Sequence, residues 1–150
     1  MDDPRIDLSQ MIERLHRRYL DVVRVELDRM GCRDLTPVQA VLLANVGEDE
    51  IVMKELIERG YYQGSNVSYN MKKLVEFGYI EQERSSHDKR SVRVRLTDKS
   101  KAVCERIRKM KALDGPALER AGIGANEFAN LVENLRRLEN AWSELVRYRR

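Results

Sequence analysis

The chain is 150 residues long, the size of one domain able to bury most of its apolar surface. Its net charge of +3 is too small to mark a polycation by itself. Two distant cysteines, Cys32 and Cys104, exclude a disulfide framework and fit a reducing cytosol, and no apolar run reaches the ~20 residues of a membrane span.

Met1–Arg5 is polar and acidic, so no signal peptide is expected and the protein is assigned to the cytoplasm. Ile6 to Met30 is predicted as one long helix. Leu8, Ile12, Leu15, Tyr19, Val22, Val23, Leu27 and Met30 recur along it at steps of about three and four. Ser9 or Asp7 is available to cap it, and Gly31 closes it. Such a helix exceeds the ~10–14 residues typical of globular domains, so it should pack on more than its own core. Thr36-Pro37 opens a second helix, an N-cap hydroxyl followed by proline at the first helical position, with Val38, Val41, Leu42 and Val46 as its buried stripe.

Ile51 to Thr97 carries the functional pattern. Two short helices, Val52–Glu58 and Ser65–Phe77, flank the turn Arg59–Gly64. A strand over Tyr79–Glu83, a charged tip over Arg84–Arg90 and a strand over Ser91–Leu96 follow. That order is a winged helix-turn-helix, which presents one helix to a DNA groove. Val67, Met71 and Leu74 share one face and point into a core with Leu56 and Ile57. The opposite face collects Asn66, Ser68, Tyr69, Asn70, Lys72 and Lys73, with no acid before Glu76. A face that only meets water ordinarily mixes both charge signs. One without acids, near a helix N-terminus, suits phosphates and base edges. In the hairpin, Val92, Val94 and Leu96 alternate with Ser91, Arg93 and Arg95, as in a half-buried strand. At the tip, Asp88 is placed to aim Arg90 into a narrow minor groove. Charge peaks in the same place: residues 84–111 hold 11 basic and 3 acidic side chains, against 11 and 16 in residues 1–83. That is the footprint of a docked polyanion.

Thr97-Asp98 begins another long helix, with Val103, Ile107, Met110 and Leu113 as its apolar row. Its basic side, Lys99, Lys101, Arg106, Arg108, Lys109 and Lys111, reads mostly as a solvated face. Gly115-Pro116 breaks the pattern, and Ala117 to Gly124 is expected to be a flexible connector. The last helix, Ala125–Tyr148, carries Phe128, Leu131, Leu135, Leu138, Trp142 and Leu145 at close to heptad spacing. Long apolar rows at both ends predict a homodimer seam. Leu8, Ile12 and Leu15 would supply one part of it, and Leu131, Leu135, Leu138, Trp142 and Leu145 the other.

Asp88-Lys89-Arg90, five residues, then Leu96-Thr97 resembles the D-x-R-x5-L-T wing signature of the MarR family of bacterial transcription regulators. Ser65-Asn66-Val67-Ser68 and Lys73–Ile80 are similar to that family's recognition helix and its exit, and Leu35-Thr36-Pro37 with Gln39 to the start of its second helix. Tyr69 stands where the family often has arginine. The resemblance implies a mainly α (α+β) fold over residues 1–150. In it, 35–97 form the winged helix-turn-helix, and 1–31 with 98–150 form long N- and C-terminal dimerisation helices. It also implies a homodimer on a pseudo-palindromic operator, released by a small molecule or by oxidation. The expected DNA-binding residues are Ser65, Asn66, Ser68, Tyr69, Asn70, Lys72, Lys73, Arg84, Lys89 and Arg90, with Asp88 supporting the wing. An effector pocket would draw on Met30, Cys32, Val38, Leu42 and Val103, each of which also reads as plain core.

Two other readings share these patterns: a winged-helix scaffold that binds protein, and an architectural DNA-binding protein indifferent to sequence. The scaffold does not account for an acid-free helix face beside a basic hairpin, and the architectural protein would show affinity without a preferred fragment. An enzyme is the weakest reading. His16 and His87 lie far apart, there is no nucleophile motif or phosphate loop, and no catalytic residue, metal or cofactor is expected.

Overall fold

Asp3 accepts the amide of Arg5 at 3.0 Å and Pro4 stands at the first helical position, so α1 (Pro4–Arg29) begins ahead of the expected Ser9 or Asp7 cap. A computed structural model describes residues 3–47, 50–60, 64–84, 91–111 and 115–149; the side chains of Ile6, Arg59 and Ser65 lie outside that set. Packing divides the chain into two units, Met1–Lys111 and Ala112–Arg150.

In the first unit α1 has two apolar faces. Tyr19, Val23 and Leu27 join the core, while Leu8, Met11, Leu15, Val22 and Val25 are exposed and Ile12 is half-buried. α2 (Pro37–Val46) opens with a full capping box: Thr36 accepts the Gln39 amide at 3.2 Å and the Gln39 side chain accepts the Thr36 amide at 3.1 Å. Its buried residues are Gln39, Ala40, Leu42, Leu43 and Val46. Val38 and Val41, expected in that stripe, are exposed and half-buried. A helix that is apolar nearly all round gives no unique inward face from sequence.

A short strand absent from the sequence reading, β1 (Ile51–Val52), precedes α3 (Met53–Gly60). α4 (Gly64–Glu76) follows, then β2 (Ile80–Arg84) and β3 (Val92–Leu96). The three strands form one antiparallel sheet in the order β1-β3-β2, with Ile51 opposite Val94 and Ile80 opposite Leu96. Val67, Met71 and Leu74 of α4, Leu56 of α3, and Ile80 and Val94 of the sheet close on α2 and on Val103 and Ile107 of α5 (Lys101–Lys111). The first and fifth helices therefore share a core with the winged helix. Thr97 does not start α5 directly. A single 3-10 turn over Asp98–Ser100 intervenes.

In the second unit, Gly115–Arg120 is a helix, α6, with Pro116 in its first turn, where an absent amide costs nothing. The expected connector, Ala117 to Gly124, is thus helical over its first half, and the helix is followed by Gly122, whose φ is +71°. α7 (Ala125–Tyr148) has the predicted bounds and no buried residue. Leu131, Leu135, Trp142 and Leu145 are exposed, and Leu138 is half-buried. Among the described residues no helix is long and apolar enough to cross a membrane.

Candidate nucleic-acid interface

The reading surface is built from the inside out. With Val67, Met71 and Leu74 fixed in the core, the opposite side of α4 turns outward. Asn66, Ser68, Tyr69 and Lys72 are exposed, Tyr69 at 62 %. Lys73 is half-buried, lies 5.9 Å from the Tyr69 ring centroid and pairs with Glu76 at 3.4 Å. Asn70, expected at base edges, is half-buried instead. Its side-chain oxygen accepts from Gln39 at 3.3 Å, tying α4 to the start of α2. Ser65 opens α4 in backbone, and its side chain is not among those described. The outward face therefore centres on Asn66, Ser68, Tyr69 and Lys72.

Arg84 is exposed at the end of β2, opposite Val92. Asp88, Lys89 and Arg90, the core of the wing signature, lie outside the described residues. The sheet's outer face is a mixed ladder, with Glu81 opposite Arg95 (2.8 Å) and Glu83 opposite Arg93. Glu81 raises the Arg95 pKa above its ordinary value. Much of the basic excess read from residues 84–111 is paired in the same local way. Lys101 meets Asp98 at 2.8 Å, Arg106 meets Glu26 at 3.6 Å, and Arg108 and Lys109 share Glu105. Exposed pairs of this kind contribute little stability.

The exit of α4 is held by Thr97, Lys99 and Ser100, a role the sequence pattern did not assign to them. Three successive carbonyls, those of Phe77, Gly78 and Tyr79, each accept from the segment 97–100. Lys99 Nζ donates to Phe77 O at 2.7 Å and Thr97 Oγ1 to Gly78 O at 2.6 Å. The Thr97 amide donates to Tyr79 O at 3.1 Å, and the fully buried Ser100 hydroxyl donates to the same oxygen. Thr97 is the N-cap residue of the 3-10 turn, but its hydroxyl is used here and not on the turn's amides. The only sequence signal was a run of small hydroxyls and one lysine at a strand-to-helix junction.

The residues expected at an effector pocket differ in exposure. Leu42 and Val103 are core residues, Met30 and Cys32 pack half-buried against the core, and Val38 is exposed in the first turn of α2. A cavity of about 820 Å³ lies elsewhere in this unit, between Ala44 at the end of α2, Leu96 of β3, and Ala102, Cys104, Glu105 and Arg108 on α5. Burial pushes the Cys104 thiol up to about 11, against the pull of Arg108 and Lys111, which leaves it protonated at neutral pH.

Residues 35–100 match a family model described as a winged helix DNA-binding domain. Over 142 residues the chain is 36% identical to the exopolysaccharide II synthesis transcriptional activator ExpG of Rhizobium meliloti (strain 1021), covering 95% of this chain and 73% of that protein. The chain belongs to the MarR family of transcription regulators. Its likeness in fold to other MarR-family proteins extends over nearly the whole chain. The crystal structure of the transcriptional regulator SlyA superimposes with a TM-score of 0.80, at 23% identity, covering 96% of this chain and 99% of that one. A mutant MarR from E. coli, crystallised with operator DNA, superimposes with a TM-score of 0.71, at 23% identity, covering 89% and 94%. Within the MarR fold, α4 is the second helix of the helix-turn-helix and β2 with β3 forms the wing.

Proposed function

We propose that this chain works as a homodimeric, sequence-specific DNA-binding regulator. Each copy lays α4 in a major groove, with Asn66 and Tyr69 towards base edges and Ser68, Lys72 and Lys73 towards phosphates. The wing, through Arg84, Lys89 and Arg90, reaches the adjoining minor groove, with Asp88 bracing Arg90. The observation that carries this reading is the division of α4: a fully buried apolar row on one side and, on the other, a polar face with no acid before Glu76.

Two reading heads need a fixed spacing, and the exposed apolar rows of α1 and of α7 are the surfaces suited to hold a second copy. Two-fold symmetry then sets half-sites about one helical turn apart, roughly 10–10.5 bp. The protein acts in the cytoplasm, without catalysis or cofactor. A small-molecule effector would sit in the cavity beside α5, whose first turn adjoins the clamp on the α4 exit.

The test is a gel shift with genomic fragments at two salt concentrations. One or a few fragments should be preferred, with affinity falling steeply as salt rises. Equal affinity for all fragments identifies an architectural protein, and no shift at low salt identifies a protein-binding scaffold.

A further inference from the structure

Two helices of the first unit end in the same motif, and the two ends meet. At the end of α1, Gly31 has φ +72°; its amide donates to Asp28 O at 3.0 Å and the Cys32 amide to Leu27 O at 2.9 Å. At the end of α4, Gly78 has φ +79°; its amide donates to Val75 O at 3.0 Å and the Tyr79 amide to Leu74 O at 2.9 Å. Both are Schellman caps, which need a left-handed residue and leave the next residue at a defined angle. The residues so placed, Cys32 and Tyr79, face each other with Sγ and hydroxyl 3.5 Å apart.

Asp34 closes the junction. Its Oδ1 accepts the Tyr79 hydroxyl at 2.6 Å and lies 3.4 Å from Cys32 Sγ, while Oδ2 lies 3.4 Å from Lys99 Nζ. Lys99 also stands 4.3 Å from the Tyr79 ring centroid, besides its bond to Phe77 O. The loop that carries Asp34 is pinned from α1, because Arg24 donates to the carbonyls of Cys32 (3.1 Å) and Leu35 (3.0 Å). Burial alone would raise the Asp34 pKa. The Tyr79 hydroxyl, the Cys32 thiol and Lys99 outweigh it and hold the carboxyl below its ordinary value.

We infer that Asp34, Tyr79 and Lys99 are positioning residues that set the angle of α4 against α1, and with it the spacing at which two copies present their reading helices. The inference rests on the dimeric DNA-binding function proposed above. An ion pair with both partners exposed, like Asp34 with Lys99, adds little stability. Its geometry is directional, however, in a way that the apolar contacts of the neighbouring core are not. A bond to a hydroxyl and an ammonium fixes an angle, whereas Leu74 and Ile80 would tolerate a small rotation. Arg24 thus holds the loop by the carbonyls of Cys32 and Leu35, Asp34 in that loop bonds Tyr79 and Lys99, and Lys99 donates to Phe77 O, linking the helix with an exposed apolar seam to the end of the helix that reads DNA.

The test uses the full chain and a duplex that the wild type selects from random-sequence DNA, beside a scrambled duplex. Tyr79→Phe keeps the buried ring and the net charge and removes one hydroxyl. It should lower affinity for the selected duplex about tenfold, the factor one charge-assisted hydrogen bond is worth, and leave the scrambled duplex and the salt slope unchanged. Asp34→Ala should match it, Asp34→Asn should lose less because its amide oxygen still accepts the hydroxyl, and the double variant Tyr79→Phe/Asp34→Ala should be no worse than either. Folded variants that keep the wild-type preference, or that lose both duplexes equally, overturn the positioning role alone. A wild type that selects no sequence overturns the DNA-reading function and this inference with it.

Discussion

Residues 3–111 and residues 115–149 place their apolar side chains in opposite ways. In the first segment Leu27, Leu42, Leu43, Leu56, Met71, Leu74 and Ile107 are almost wholly removed from water, and the sheet and five helices close on them. In the second, α7 runs for 24 residues with an apolar row at heptad-like spacing and no buried residue. The lesson is one of dependence. A core that is complete within the chain supports itself, whereas a long amphipathic helix draws most of its stability from whatever its apolar face packs on. The reading head should therefore hold at any protein concentration, and the order of α7 should track association.

The largest expected effect breaks the first half of that contrast. Leu74→Ala removes a fully buried side chain at the junction of α4 and the sheet, and should cost about 2–5 kcal/mol in chemical denaturation, independently of protein concentration. Trp142→Ala tests the other half. It should leave dilute-chain stability nearly unchanged while raising the dimer dissociation constant about thirtyfold or more, the ~2 kcal/mol of an interfacial aromatic, by sedimentation. A concentration-independent loss on Trp142→Ala would reverse the comparison. Thr36→Ala removes the hydroxyl of the α2 capping box and should cost about 1 kcal/mol, again without concentration dependence. Lys72→Ala should weaken DNA binding alike on all sequences and flatten the log–log salt dependence by about 0.9. The smallest effect is a pH profile. The Asp34 carboxyl is held below its ordinary value of 3.8, so its contribution is present above that pH and is lost as pH falls below it. The stability gap between wild type and Asp34→Asn should be widest near neutrality and close below about pH 3.8.

Periodicity carried the helices well wherever one face alone was apolar. α7 was bounded correctly because its seam is long and Gly124 precedes it, and the inward row of α4 was evident from Val67, Met71 and Leu74. It failed where the pattern was degenerate. α2 is apolar on several sides, so periodicity alone does not tell exposed Val38 from its buried neighbours, and Ile51-Val52 fits a helix as readily as the two-residue strand it forms. The clamp on the α4 exit was beyond local reading. Asp34, Tyr79 and Lys99 are separated by 45 and 20 positions, and only the folded chain brings them together. The same holds for Gln39 and Asn70, whose side chains bond across 31 positions of sequence.

The two glycine turns have a practical meaning for anyone wishing to redirect this regulator. Because Gly78 and the residues around it determine how α4 is mounted, while Asn66, Ser68, Tyr69 and Lys72 form its outward surface, mounting and vocabulary occupy separate stretches of one helix. A graft that exchanges residues on the outward face and leaves Leu74 through Ile80 intact keeps the bracket and changes only the word being read. A swap that runs through Gly78 would set a β-carbon at φ +79° and alter both at once.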